Sequence, residues 1–471
     1  MKIKRAFSLT LIFGSTLLVS LELQAATVSS IDDQSALAVT IYNSNLALVK
    51  DTRKVSLQRG VEALELRGVS AQLRPETALL RSAGSGGLNI LEQNFDFDLL
   101  TPQKLLEKHL GKQVKIAAQN PATGVEKIRT GTLLSTNSGV VVRIGDRIET
   151  NPPGRYIFDA LPANLRDLPT LSVLLNNKQN TNRELQLSYL TGGLSWRADY
   201  VAELDANDKL VDLNGWVTLS NTSGTDFPNA KLQLVAGDVN LVRQQMQRNV
   251  KYRAVAMEMS DAAPAMSEES LLEYHLYTLQ RPTDIRDRQN KQVALMSASR
   301  VPVQKALVLN GTSYYYRSSA KQIGTRMKFG VFVELENSEK NGLGMPLPKG
   351  IVRVYKRDSS NHLQFVGEDS IDHTPNKDKI TLKLGDAFDV VADKRQTSFR
   401  INDRVLGRDV YDSSYEIVVT NGKKEAVEII IREPIPGDWK ILESSHAHNK
   451  VAANLAEWRL SVPAEQKLTL S

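Results

Sequence analysis

Cysteine is absent from all 471 residues. Its absence removes disulfide scaffolds, thiol nucleophiles, thiolate zinc sites, iron–sulfur clusters and lipid anchoring through an N-terminal cysteine. Histidine is scarce, with six in the chain, and only His446-Ala447-His448 has ligand-like spacing. A strand would turn both rings to one face, but a metal needs a third and fourth ligand that Glu443, Asn449 and Lys450 do not clearly supply. No metal and no cofactor are therefore expected. Charge of one sign is lacking too: 59 Lys and Arg against 53 Asp and Glu leave a net +6, which gives no electrostatic reason to expect a nucleic-acid partner. The one basic stretch runs Arg243, Arg248, Lys251 and Arg253, then Arg281, Arg286, Arg288 and Lys291. Interleaved acidic residues dilute it, so it reads as a solvated connection rather than a patch for anionic glycan or lipid.

Long apolar runs are missing except at the start. Lys2, Lys4 and Arg5 precede an apolar run from Ala6 to about Leu21, which Glu22 ends, and small residues follow at Ala25 and Ala26. This is the order of a secretory signal, too short and too rich in Ser and Thr for a membrane span. Residues 1–25 are thus expected to be a signal peptide. The mature chain would be a soluble protein of the bacterial periplasm or cell surface, with no integral span after cleavage and a net charge of +4.

Period-two alternation dominates the remainder, beginning with Leu37-Ala38-Val39-Thr40-Ile41-Tyr42 and Leu46-Ala47-Leu48-Val49. Thr101-Pro102, with Leu105, Leu106 and Leu110 at helical spacing and Gly111 beyond, predicts one short helix. From Gly111, short strands joined by Asn137-Ser138-Gly139 and Gly145-Asp146 suggest a small barrel of the SH3 or Sm type. Longer alternating strands follow at Glu184 to Leu190, Trp196 to Leu204, Leu210 to Leu219 and Lys231 to Val235. Residues 241–300 lose the alternation and read as a flexible insertion, with a short helix started by Ser267 and a strand from Tyr274 to Leu279. Strands resume at Lys305 to Leu309, Tyr314 to Arg317 and Lys328 to Glu336. A third block closes the chain, with Asn421-Gly422 as a hairpin turn. The expected fold is all-β: several immunoglobulin-like sandwiches, one small barrel and few short helices. Its divisions are residues 26–100, 101–160, 170–345 and 346–471. An Asn-led turn occurs twice, at Ser220-Asn221 and Thr420-Asn421, either as a mark of related sandwiches or as ordinary turn chemistry.

Six ordered blocks carry a resemblance. Leu187-Ser188-Tyr189-Leu190-Thr191-Gly192-Gly193-Leu194-Ser195-Trp196-Arg197-Ala198-Asp199-Tyr200 is followed by Gly215-Trp216-Val217-Thr218-Leu219-Ser220-Asn221 and Leu232-Gln233-Leu234-Val235-Ala236-Gly237-Asp238. Later come Gly344-Met345-Pro346-Leu347-Pro348-Lys349-Gly350, Leu384-Gly385-Asp386-Ala387-Phe388-Asp389-Val390 and Glu433-Pro434-Ile435-Pro436-Gly437-Asp438-Trp439. From about residue 170 onward the chain resembles a bacterial family of domains of unknown function that also forms the C-terminal part of mucoidy-inhibitor-A-like envelope proteins. The resemblance implies a β-rich exported protein and supplies no catalytic residues.

Tests for catalysis come back thin. Gly193-Leu194-Ser195-Trp196-Arg197 lacks the closing glycine and the helix of a nucleophile elbow. Ser318-Ser319-Ala320-Lys321 has serine–lysine spacing without companion motifs, and Gly84-Ser85-Gly86-Gly87 lacks the lysine of a phosphate loop. Asp96 and Asp98 form a carboxylate pair of a common kind. Trp196, Tyr200, Trp216 and the three tyrosines Tyr314, Tyr315 and Tyr316 could form an aromatic carbohydrate platform, but the aromatics of the Trp196 strand would pack into a sandwich core. Tyr314, Tyr315 and Tyr316 differ, because consecutive strand residues face opposite ways and at least one ring must be exposed. They are the candidate contact surface. The function expected is a non-catalytic binding or scaffolding component of the bacterial envelope, with an envelope protein or glycan as partner. A periplasmic glycan or ester hydrolase is the alternative.

Overall fold

The computed structural model describes residues 26–43, 45–82, 87–162, 165–179, 181–237, 239–240, 266–405 and 408–471. The expected signal peptide and residues 84–86 of the Gly84-Ser85-Gly86-Gly87 turn lie outside them. The fold is all-β with one short α-helix, as the alternation requires. It divides into two compact units, residues 1–36, 51–71 and 75–187, and residues 37–50, 72–74 and 188–471.

In the first unit, a sheet is ordered Thr27–Ser29, Gly60–Arg67, Thr170–Asn177, Leu88–Asp96. Leu64, Leu66, Leu171, Val173 and Leu175 form its buried face. Arg53 is buried beside it, paired with Asp51 at 2.7 Å and donating to the carbonyls of Ser29 and Arg67. The predicted helix is Pro102–Lys108; the Thr101 side chain caps it by accepting from Lys104 N. Five strands follow in the order Arg147–Thr150, Val141–Ile144, Glu126–Ser135, Gln113–Gln119, Arg155–Ile157. The two edge strands are not paired with each other, so the expected barrel is instead an open sheet. Its core of Val114, Ile116, Leu133 and Val142 is capped by Leu106 of the helix.

In the second unit, Leu210–Asn221 pairs with Leu194–Leu204 and with Gln289–Asn310. The ladder continues through Gln322–Glu336, Lys379–Val405 and Arg408–Asn421. Phe227–Ala236 joins Tyr274–Leu279 and residues 38–42. Val427–Pro434 joins Leu455–Val462. Leu309, Phe329, Val390, Val419, Ile431, Trp458 and Val462 are among the residues of one buried cluster there.

Four local expectations change. The segment begun by Ser267 is a strand, Met266–Leu271, paired with Tyr274–Leu279. Residues 289–300, assigned to the insertion, lie in the long strand Gln289–Asn310, while residues 241–265 fall outside the described ones. Asn421-Gly422 is not a hairpin: Arg408–Asn421 pairs with Lys379–Val405 and Lys467–Leu470, not with Val427–Pro434. Gly422 also stays out of the left-handed region that a two-residue type I′ turn requires. Finally, Tyr314–Tyr316 is a 3-10 turn rather than a strand.

Candidate functional site

The 3-10 turn separates the three tyrosines. Tyr314 is 60% exposed, Tyr315 is fully buried and Tyr316 lies between. The Tyr315 hydroxyl donates to Glu433 Oε2 at 2.6 Å, accepts from Thr312 N at 2.9 Å and accepts from Lys394 Nζ at 2.8 Å. The Tyr316 hydroxyl donates to the same Oε2 at 2.8 Å. Lys394 Nζ stands 2.6 Å from Glu433 Oε1, with both side chains nearly inaccessible at 1% and 3%. That close pair lacks hydrogen-bond alignment, leaving Oε1 as an ion-pair contact only. The ammonium lies 4.0 Å from the Tyr315 ring centroid and 5.2 Å from that of Tyr415, a cation enclosed by aromatic faces.

Local sequence explains the convergence. Val390, Ala392 and Lys394 alternate inward on one strand, and Ile429, Ile431 and Glu433 alternate inward on another. Gly311 leaves room for the phenol–carboxylate contact, since a Cβ there would collide with Glu433 Oε2 and the Tyr315 hydroxyl. Gln396 donates to the Tyr315 carbonyl at 3.0 Å, and the Tyr415 hydroxyl donates to it at 2.8 Å. Those two bonds fasten the turn to the base of the Lys379–Val405 and Arg408–Asn421 ribbon. Burial lowers the Lys394 pKa against the raising effect of Glu433. Burial, then the charge of Glu433, pushes the Tyr315 and Tyr316 hydroxyls far above the ordinary phenol range.

The ribbon reaches beyond its sheet. Pairing with Gln322–Glu336 ends at Arg395, whereas pairing with Arg408–Asn421 continues to Val405. Phe399 and Tyr411 stack at 5.9 Å and Ile401 is 66% exposed, so this two-stranded section carries apolar side chains into solvent.

The remaining candidates resolve into structural roles. Trp196 and Tyr200 are core residues; Trp196 Nε1 donates to the Val235 carbonyl at 3.3 Å and the Tyr200 hydroxyl donates to the Pro348 carbonyl at 2.8 Å. Trp216 lies on the outer face and is 40% exposed. Asp199 sits opposite it, held by Arg197 and Arg353 and by the Thr218 hydroxyl. His446 and His448 lie in a loop rather than a strand: His446 Nδ1 is 2.9 Å from Ser445 Oγ, and His448 packs on Trp458. Ile441 to His448 border an open cleft of about 320 Å³. Ser445 Oγ accepts from Ser471 N at 2.9 Å, which ties the hydroxyl to the backbone. Ser195 lies within the Leu194–Leu204 strand, opposite Ser220. Ser318 donates to the Tyr314 carbonyl at 3.2 Å. Asp96 pairs with Arg166, and Asp98 pairs with Lys104 and Lys108. Among the described residues, no group of three or more His, Asp or Glu is arranged to hold a metal ion.

The recurring motifs are mostly tie points. In residues 344–350, the carbonyls of Met345, Pro346 and Pro348 accept from Asn337, Tyr277 and Tyr200 at 2.8 to 2.9 Å. Gly193, at φ +81°, accepts from Thr222 N at 2.7 Å, and a side chain there would strike Ser223. Sequence reasoning missed Lys394 and Glu433, although their inward parity is legible. What it lacked was their pairing across a separation of 39 positions. A family model described as a domain of unknown function, DUF4139, matches residues 185–471. No curated protein matches the chain.

Proposed function

This chain belongs to the DUF4139 family of domains of unknown function, and from that premise we propose that it is a non-catalytic binding or scaffolding protein of the bacterial cell envelope. One observation carries the reading: the polar groups of the tyrosine site close on one another, while Tyr314 and the apolar ribbon beside them face outward. A catalytic centre needs a nucleophile or base free to meet substrate. Here Lys394, Glu433 and Tyr315 are sealed inside. Exposed aromatic and aliphatic side chains on a rigid base suit recognition of another envelope component instead.

Export to the periplasm or the cell surface is part of this reading, and the basic and apolar order of residues 1–25 supports it. Kinship with mucoidy-inhibitor-A-like envelope proteins rests on the ordered motifs from Leu187 to Trp439. In-cell crosslinking of the full chain, followed by mass spectrometry, tests the role. Recovery of one envelope partner, lost on Ile401→Asp, supports it. Turnover of a glycan or ester substrate that is abolished by Ser445→Ala or His446→Ala, with no partner recovered, overturns it.

A further inference from the structure

The chain has no cysteine, so no disulfide ties its sandwich together. Lys394 and Glu433 stand on strands that do not pair: Lys379–Val405 bonds to Gln322–Glu336 and Arg408–Asn421, and Val427–Pro434 bonds to Gln289–Asn310 and Leu455–Val462. Their side chains nevertheless meet, with Nζ 2.6 Å from Oε1, inside an aromatic box closed to water. We propose that in the mature protein Lys394 Nζ and Glu433 Cδ are joined by an amide bond, formed by the folded chain itself, which serves as the covalent tie that cysteine does not supply.

The step balances without a co-reactant. A proton moves from the ammonium to the carboxylate, giving a neutral amine and a neutral acid. The Nζ lone pair then adds to Cδ. Negative charge developing on Oε2 is met by the Tyr315 and Tyr316 hydroxyls, which already converge on that atom at 2.6 and 2.8 Å. The first proton having gone to Oε1, the oxygen 2.6 Å from Nζ, a second passes from Nζ to that same Oε1, the Cδ–Oε1 bond breaks, and water leaves, while Oε2 remains as the amide oxygen held by the two hydroxyls. Both hydrogens of that water come from the ammonium and its oxygen comes from the carboxylate, so an ion pair becomes a neutral amide.

Three features favour the forward direction. Holding amine and acid in contact raises their effective concentration, which reaches about 10⁵–10⁸ M in well-oriented intramolecular reactions. Burial makes separated charges expensive, and the product has none. The same burial lowers the Lys394 pKa and so makes the reactive neutral amine more accessible. Gly311 contributes by omission, since any side chain there would push Oε2 away from Tyr315.

Tryptic digestion of the purified full-length folded protein, read by mass spectrometry, tests the bond independently of any binding partner. The expected product is one branched peptide uniting the Lys394 and Glu433 segments, lighter by one water than the two linear segments, with no cleavage after Lys394. Lys394→Arg should yield only linear peptides. Glu433→Gln should yield the same branched peptide, formed with loss of ammonia instead of water. Linear wild-type peptides of full mass, cut after Lys394, would overturn the proposal.

Discussion

The turns at Asn221 and Asn421 are built alike, yet the cores beside them differ in kind. Each asparagine is buried and donates Nδ2 to the carbonyl four residues on, Thr225 at 2.9 Å or Glu425 at 2.8 Å. Each accepts at Oδ1 from the backbone N–H two residues on, Ser223 or Lys423, at 3.0 Å. Each also donates to a distant carbonyl, that of Ile285 at 3.0 Å or Val462 at 3.2 Å. Six positions before each asparagine stand Gly215 and Tyr415, whose cross-strand partners are Tyr200 and Gln396; four before stand Val217 and Ile417, opposite Ala198 and Lys394. One region therefore fills an inward position with a methyl group where the other inserts an ammonium. The arch does not require a buried charge. Lys394, Glu433 and their tyrosines are an addition to a framework that closes without them, and they lie where the exposed ribbon is rooted.

Exchanging the residues at that position breaks the comparison most sharply. Lys394→Ala should cost about 3–5 kcal/mol by leaving Glu433 uncompensated. Ala198→Lys should cost a similar amount, because the neighbouring carboxylate, Asp199, points to the opposite face of the strand and is already held by Arg197 and Arg353. Denaturant titration measures both, and a loss below about 1 kcal/mol in either would contradict the contrast. Replacing Lys394 by Met together with Glu433 by Leu should recover most of the loss.

The shared frame predicts a smaller and symmetric effect. Asn221→Ala and Asn421→Ala should each cost about 1–3 kcal/mol, because each strands buried carbonyls and an amide. Unequal values in the same titration would mean that the two arches only look equivalent.

Alkali separates the regions again. Tyr200 and Tyr277 in the first region, and Tyr315, Tyr316 and Tyr415 in the second, have pKa values raised by burial. A raised phenol pKa stabilises the fold fully below the unfolded value near 10, and that stability is lost as pH rises through and above it. Each such phenol lowers the folding constant by about tenfold per pH unit in that window. In chains that have not formed the amide, Lys394 acts in the opposite sense, since its lowered pKa lets stability rise with pH up to its unfolded value near 10.5. Unfolding midpoints compared at pH 8 and pH 11 should therefore fall, and Tyr316→Phe should flatten the fall. The smallest effect belongs to Tyr314→Ala, within about 0.5 kcal/mol in thermal unfolding, as for a surface side chain.

Much of this architecture was legible in the sequence. Alternation located the strands of both units, and Thr101-Pro102 with Gly111 located the helix, because side-chain period and capping are local properties. Errors arose where the answer lies in the partner of a segment. Asn421-Gly422 signals a turn whether or not the flanking strands pair, and only the pairing of Val427–Pro434 shows that it does not join a hairpin. Consecutive tyrosines favour a strand by propensity, but the Tyr315 carbonyl is claimed by Gln396 and Tyr415, which hold a 3-10 turn in place. Parity alone turned Lys394 and Glu433 inward. Their meeting is a property of packing between strands remote in sequence.

The central claim is that the region with the buried charge supports a binding ribbon, while the apolar region does not. A photo-reactive amino acid placed at Ile401, and separately at Trp216, in living cells tests it directly. The account predicts one discrete crosslinked product from position 401 and none from position 216. Equal labelling from both positions, or none from position 401, would contradict it.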